Sequence, residues 1–79
     1  MKLADISKIL VSPSTLVSMK SKIKVLSLKD DKHNTIQKNT FEGINIFANY
    51  YLKDGEVWLY NSKGDVEDKI NISQLYEMV

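Results

Sequence analysis

A chain of 79 residues carries one domain and no room for a second core. With 43% apolar and 27% charged residues it lies well away from the compositions that stay disordered, and the absence of cysteine excludes disulfides, thiolate metal sites and cysteine chemistry. The net charge of +1 conceals an asymmetry: residues 1–40 hold eight Lys against three Asp, whereas residues 41–79 hold three Lys against seven acids.

Every basic side chain except His33 is a lysine. Base-edge readout and bidentate phosphate recognition lean on the guanidinium fork, so an arginine-free chain is poorly equipped for specific nucleic-acid recognition, although lysines still bind phosphate as point charges. The Lys- and Asn-rich vocabulary fits an AT-rich coding genome, such as that of a low-GC bacterium, its phages or a mobile element. The opening Met1-Lys2-Leu3-Ala4-Asp5 lacks the apolar run of a secretory leader, and no window is long and apolar enough to span a bilayer; the expected location is cytoplasmic, with no membrane contact.

In chain order, Leu3, Ile6, Ile9 and Leu10 fall at helical spacing and predict a short amphipathic helix over Lys2–Val11, which must dock because so short a helix is not stable alone. Ser12-Pro13 reads as a cap followed by a first-turn proline, restarting a helix through Leu16, Val17 and Met19, or else as a loop leading directly into a strand. Residues 1–21 are therefore expected to form a helical lead to a β-rich core over residues 22–79.

Lys22–Lys29 reads as a strand covered on both sides or carrying a bulge. Lys20, Lys22 and Lys24 would line its approach. A polar turn at Asp30–Asn34 leads to an extended Thr35–Phe41, and Gly43 marks a bulge or sharp bend.

Phe41–Tyr60 holds six of the seven aromatic residues. Asp54-Gly55 between β-branched and aromatic runs predicts a two-residue type I′ hairpin, pairing Lys53 with Glu56, Leu52 with Val57, Tyr51 with Trp58, Tyr50 with Leu59 and Asn49 with Tyr60. Alternation then sorts Ile44, Ile46, Ala48, Tyr50, Leu52, Val57 and Leu59 to the core. Phe47, Asn49, Tyr51, Lys53, Glu56, Trp58 and Tyr60 go to the other face, which either receives the N-terminal helix or binds a partner. Beyond it, Asn61–Gly64 is a turn and Asp65–Lys69 an acidic connector. Ile70 and Ile72 alternate as a strand, and Ser73 is placed to cap a last turn burying Leu75, Tyr76 and Val79.

Chemistry-bearing constellations are scarce. His33 beside Asp30 and Asp31 lies on a turn, where neighbouring residues seldom converge on a metal, and Asp65, Glu67 and Asp68 lack calcium-loop spacing. No glycine-rich phosphate loop occurs, and no serine has a histidine at recognisable spacing. No metal, cofactor or catalytic residue is expected.

The order of elements, a helical lead, a long strand, a bent strand, a tight hairpin and a short terminal strand, resembles that of small SH3/Sm-like barrels in order alone. The expected class is α+β: a small antiparallel β-sheet or an SH3/Sm-like partly open barrel with an N-terminal helix. The expected function is a non-enzymatic protein-interaction module, an accessory or inhibitor protein, binding through Phe47, Tyr51, Trp58 and Tyr60. The alternative is a nucleic-acid-binding barrel using Lys20, Lys22 and Lys24 with stacking on the hairpin aromatics. A third reading is an oligomer with a ligand pocket between subunits, and self-association is open under each of them.

Overall fold

The computed structural model describes residues 2–79 as an open, mixed sheet of six strands with two short helices packed on one of its faces. In chain order these are β1 (Lys8–Val11), α1 (Pro13–Ser18), β2 (Lys24–Lys29), β3 (Thr35–Phe41), β4 (Ile44–Ala48), β5 (Glu56–Tyr60), β6 (Val66–Asn71) and α2 (Ile72–Glu77). The sheet order is β2-β3-β4-β1-β5-β6, with β1 parallel to β4 and every other pair antiparallel. The α+β class holds. Two free edges and a parallel central pair replace the expected antiparallel sheet or partly open barrel.

The expected N-terminal helix does not form. Leu3–Asp5 makes a single 3-10 turn, and Lys8–Val11 becomes the strand paired on both sides, by β4 and by β5. Helical spacing competed here with the run Ile9-Leu10-Val11, which is β-branched at its ends and apolar on both faces, as a strand inside a sheet requires. Ile9 and Val11 are fully buried against the helices, while Leu10 points to the opposite face. The supposed helical lead thus supplies the centre of the sheet.

The helix restart is present as expected. Ser12 caps α1, its Oγ accepting from the Thr15 N–H at 3.1 Å, and Pro13 occupies the first turn, where its missing N–H costs nothing. Leu16 of α1 with its C-cap Met19, and Leu75 and Tyr76 of α2, join one cluster with Ile9, Val11, Ile46, Val57, Leu59 and Phe41, in which the Tyr76 and Phe41 ring centroids lie 6.1 Å apart. Asn71 rather than Ser73 caps α2, in a reciprocal box with Gln74; Val79 stays exposed. Asp65–Lys69 is mostly strand β6 and not a connector. The Asn61–Gly64 turn forms, its Asn61 side chain accepting from the N–H groups of Lys63 and Asp65.

The reversal at Asp54-Gly55 is real, but its two legs do not pair with each other. β1 runs between them: Ile9 and Val11 oppose Ile46 and Ala48 on one side, Leu59 and Val57 on the other. None of the expected strand pairs across the loop forms. Gly55 takes positive φ (83°) and Asp54 does not, so this is not the type I′ geometry of a two-residue hairpin. That geometry occurs at Glu42-Gly43, with φ of 50° and 82°, where Phe41 pairs with Ile44. The loop is fixed instead by α1: Ser12 Oγ donates to the Asp54 carboxylate and the Gly55 N–H donates to Thr15 Oγ1, both at 2.8 Å.

Face sorting survived where pairing did not, because alternation belongs to each leg separately. Ile46, Leu52, Val57 and Leu59 are buried. Tyr50, expected in the core, is 89% exposed, and Ala48 is exposed as well, because the leg leaves the sheet after Ala48. β2, expected to be covered or bulged, is an edge strand exposed along its whole length and pairs regularly with β3.

Two predictions follow from this core. Ile9→Ala should lower stability by about 2–5 kcal/mol in urea unfolding, against about 0.5 kcal/mol or less for truncating the exposed Val17. Glu42→Asn should raise stability by about 0.5 kcal/mol, since Asn is favoured in the left-handed region of a type I′ turn; Gly43→Ala should lower it by about 1 kcal/mol or more.

Candidate functional site

Both helices lie on one side of the sheet, which leaves the other side without a covering element among the described residues. The register builds that open face row by row. Phe47 on β4, Leu10 on β1, Trp58 on β5 and Lys69 on β6 are successive neighbours across the strands. A parallel row runs through Lys24, Thr40, Asn45, Lys8, Tyr60 and Val66. Strands lie about 4.8 Å apart, so Phe47 and Trp58 stand about 10 Å apart with Leu10 filling the gap.

The rings are held rather than loose. The Trp58 indole N–H donates to the Glu56 carboxylate, and the Lys69 ammonium lies 4.3 Å from the ring centroid. Lys8 stands 4.4 Å over Tyr60. Such contacts are worth about 0.5–1 kcal/mol at exposed sites and fix the rings for contact. Among the described residues Phe47 has no such partner, and it is 48% exposed.

Of the residues expected at a partner surface, Phe47, Trp58 and Tyr60 share this face. Tyr51 does not: it sits in the loop after β4, 95% exposed beside Tyr50, where the Asn49 side chain accepts its N–H at 2.8 Å. Leu10, Lys8 and Lys69 complete the face and were not anticipated. Once Lys8–Val11 is read as a strand, its alternation points to Lys8 and Leu10.

The lysines expected to form one row part company. Lys20 lines a shallow groove of about 320 Å³ with Leu16, Val17, Ile23, Val25 and Asn39. Lys22 reaches over Tyr76 of α2 at 5.6 Å, and Lys24 belongs to the open face. The groove is mostly apolar and lacks the converging polar groups that orient a small ligand.

Among the described residues no cluster of three or more His and acidic side chains could hold a metal ion, and no helix is long and apolar enough to cross a membrane. His33 takes positive φ (64°) in the turn whose Asp30 carboxylate accepts the N–H groups of Asn34 (2.8 Å) and Lys32 (2.9 Å). Asp30 is thereby committed to closing the turn.

Compared with protein-family models, curated proteins and solved structures, the chain matches none.

The hydrogen bond from the Asn34 N–H, supplemented by those from Lys32 N–H and the Asn34 side chain, holds the Asp30 carboxyl below its ordinary 3.8. Because the folded value is the lower one, the turn's stabilisation is complete above the unfolded value and is lost as pH falls through the folded one. An NMR pH titration should show Asp30 titrating below its ordinary 3.8, and Asn34→Pro, which removes the main donor, should move it back up.

Proposed function

We propose that this chain is a non-enzymatic protein-interaction module whose contact surface is the open sheet face centred on Phe47, Leu10 and Trp58, with Tyr60 beside them. The observation that supports it is a row of large apolar and aromatic side chains across the central strands of a small chain, with both helices on the other side. Interface anchors are typically aromatic, and a rigid sheet presents them at little entropic cost. A ring already braced by a neighbouring lysine or carboxylate loses less freedom on binding. The lysine stems at positions 8 and 69 extend the apolar surface and carry charge at its rim.

A second reading has its own observation. Lys8, Lys24, Lys38 and Lys69 share the open face by register, against Glu56 as the ladder-paired acid on that side. Aromatic rings interleaved with lysines are how single strands are held without sequence readout. We rank the protein partner first because the chain has no arginine and because Lys8 and Lys69 are seated on the rings, which supports that reading over phosphate binding.

Trp58 is the sole tryptophan, so its emission reports binding directly. The double variant Phe47→Ala and Trp58→Ala should lose partner capture by tenfold or more while keeping the circular dichroism of the parent, and Tyr51→Ala should leave capture unchanged. Equal capture by the double variant would remove the open face from consideration. Binding that drops about 10³-fold or more between 50 and 200 mM salt would favour a nucleic acid, whereas weak salt dependence fits the protein partner.

A further inference from the structure

The β2–β3 hairpin is exposed along all of β2 and most of β3. β3 pairs with β4 only through Thr40–Asn45 and Phe41–Ile44, so most of the hairpin projects beyond the rest of the sheet. Val25, Leu26, Leu28 and Ile36 are exposed on it. β2 is also an outer edge, with no proline and no bulge in its sequence Lys24-Val-Leu-Ser-Leu-Lys29. Edges are ordinarily blunted by such features, and an unblunted apolar edge is a template for another strand.

The orientation of the free groups follows from the ladder. The Asp30 N–H donates to the Asn34 carbonyl at 3.0 Å, at the hairpin's closed end. Alternation along an antiparallel pair then turns the N–H and C=O of Leu28, Leu26 and Lys24 toward β3, and those of Lys29, Ser27 and Val25 outward. The Lys24 carbonyl agrees, since Thr40 Oγ1, on β3, donates to it at 3.2 Å.

We propose that β2 pairs antiparallel with β2 of a second copy of this chain, about a two-fold axis at Ser27. A two-fold axis perpendicular to the sheet keeps each face on its own side, and residues directly opposite must share a face. Centring on Ser27 sets Val25 against Lys29, Leu26 against Leu28 and Lys24 against Asp30 of the second copy, each contact made twice by symmetry. The outward N–H and C=O groups of Val25, Ser27 and Lys29 then meet one another. Lys24, at the end of the paired strand, faces Asp30, whose carboxylate closes its own turn and still carries the opposite charge. Centring on Leu26 instead would oppose Lys24 with Leu28, and centring on Leu28 would oppose Leu26 with Asp30.

The same register gathers the exposed apolar side chains. Ile36 and Leu28 of one copy continue into Leu26 and Lys38 of the other, twice, so that Leu26, Leu28 and Ile36 of both copies form one cluster on the open-face side. The product is a closed, symmetric pair with its two sheets joined into one. It stands on the edge strand alone and does not require the aromatic row to bind anything.

Analytical ultracentrifugation of the full chain across micromolar concentrations, with amide exchange by NMR, tests it. The parent should sediment as a dimer, and the amides of Val25, Ser27 and Lys29 should be protected although they face away from β3. Ser27→Pro removes an outward N–H without touching the β2–β3 ladder, and should raise the dissociation constant at least tenfold with unchanged circular dichroism. Should Ser27→Pro fail to fold, Leu26→Lys at an exposed position must give the same weakening. A parent that is monomeric throughout with freely exchanging Ser27, or a dimer that survives both substitutions, would overturn the proposal; the second result would place the interface elsewhere. Protection of the three amides only after a different protein is added would overturn it in favour of strand addition by that protein.

Discussion

The arrangement depends on one insertion: β1 lies between the two legs of a chain reversal. Ile9 and Val11 are completely buried because strands flank them on both sides and helices cover them from below. The insertion also explains why the loop over residues 49–55 is long enough to cross the end of a strand, and why the start of α1 must hold it. The Val11 carbonyl accepts the Asn49 N–H at 2.8 Å, and Ser12 and Thr15 take up Asp54 and Gly55. The buried hydroxyls of Ser12 and Thr15 are mutually bonded at 2.8 Å, so the junction carries polar groups into the interior without leaving them unsatisfied.

The insertion also creates the open face. With both helices used to close one side around Ile9, Val11, Ile46 and Leu59, the opposite side of the central strands is left with Phe47, Leu10, Trp58 and Tyr60. Their partial burial comes from each other and from the lysines laid over the rings. A chain of this size has little apolar surface to spare for positions outside its core, and the row is the observation on which the proposed binding role rests.

What could be read from the sequence were local signals with a single physical meaning. Ser12-Pro13 as a helix start, Asn61–Gly64 as a turn and the alternation of Val57, Trp58, Leu59 and Tyr60 depend on neighbouring residues and were legible. The role of Lys8–Val11 was not, because four residues fit two periodicities and only the strands on either side decide between them. The hairpin at Glu42-Gly43 was hidden by glutamate at a position usually marked by Asn or Asp, while Asp54-Gly55 advertised a pairing that long-range contacts replaced. The same substitution explains the site: Phe47, Trp58 and Tyr60 were placed together by alternation, whereas Leu10, Lys8 and Lys69 join them only through the register of β1 and β6.

The most direct test of this account is the set of nuclear Overhauser contacts made by the backbone of Leu10. Contacts from Leu10 to both Phe47 and Trp58, with none between Tyr51 and Trp58, would establish β1 between the two legs and leave the aromatic row on the uncovered side. Strong Tyr51–Trp58 and Leu52–Val57 contacts, with helical contacts through Lys8–Val11, would restore the direct hairpin and contradict the fold and the surface derived from it.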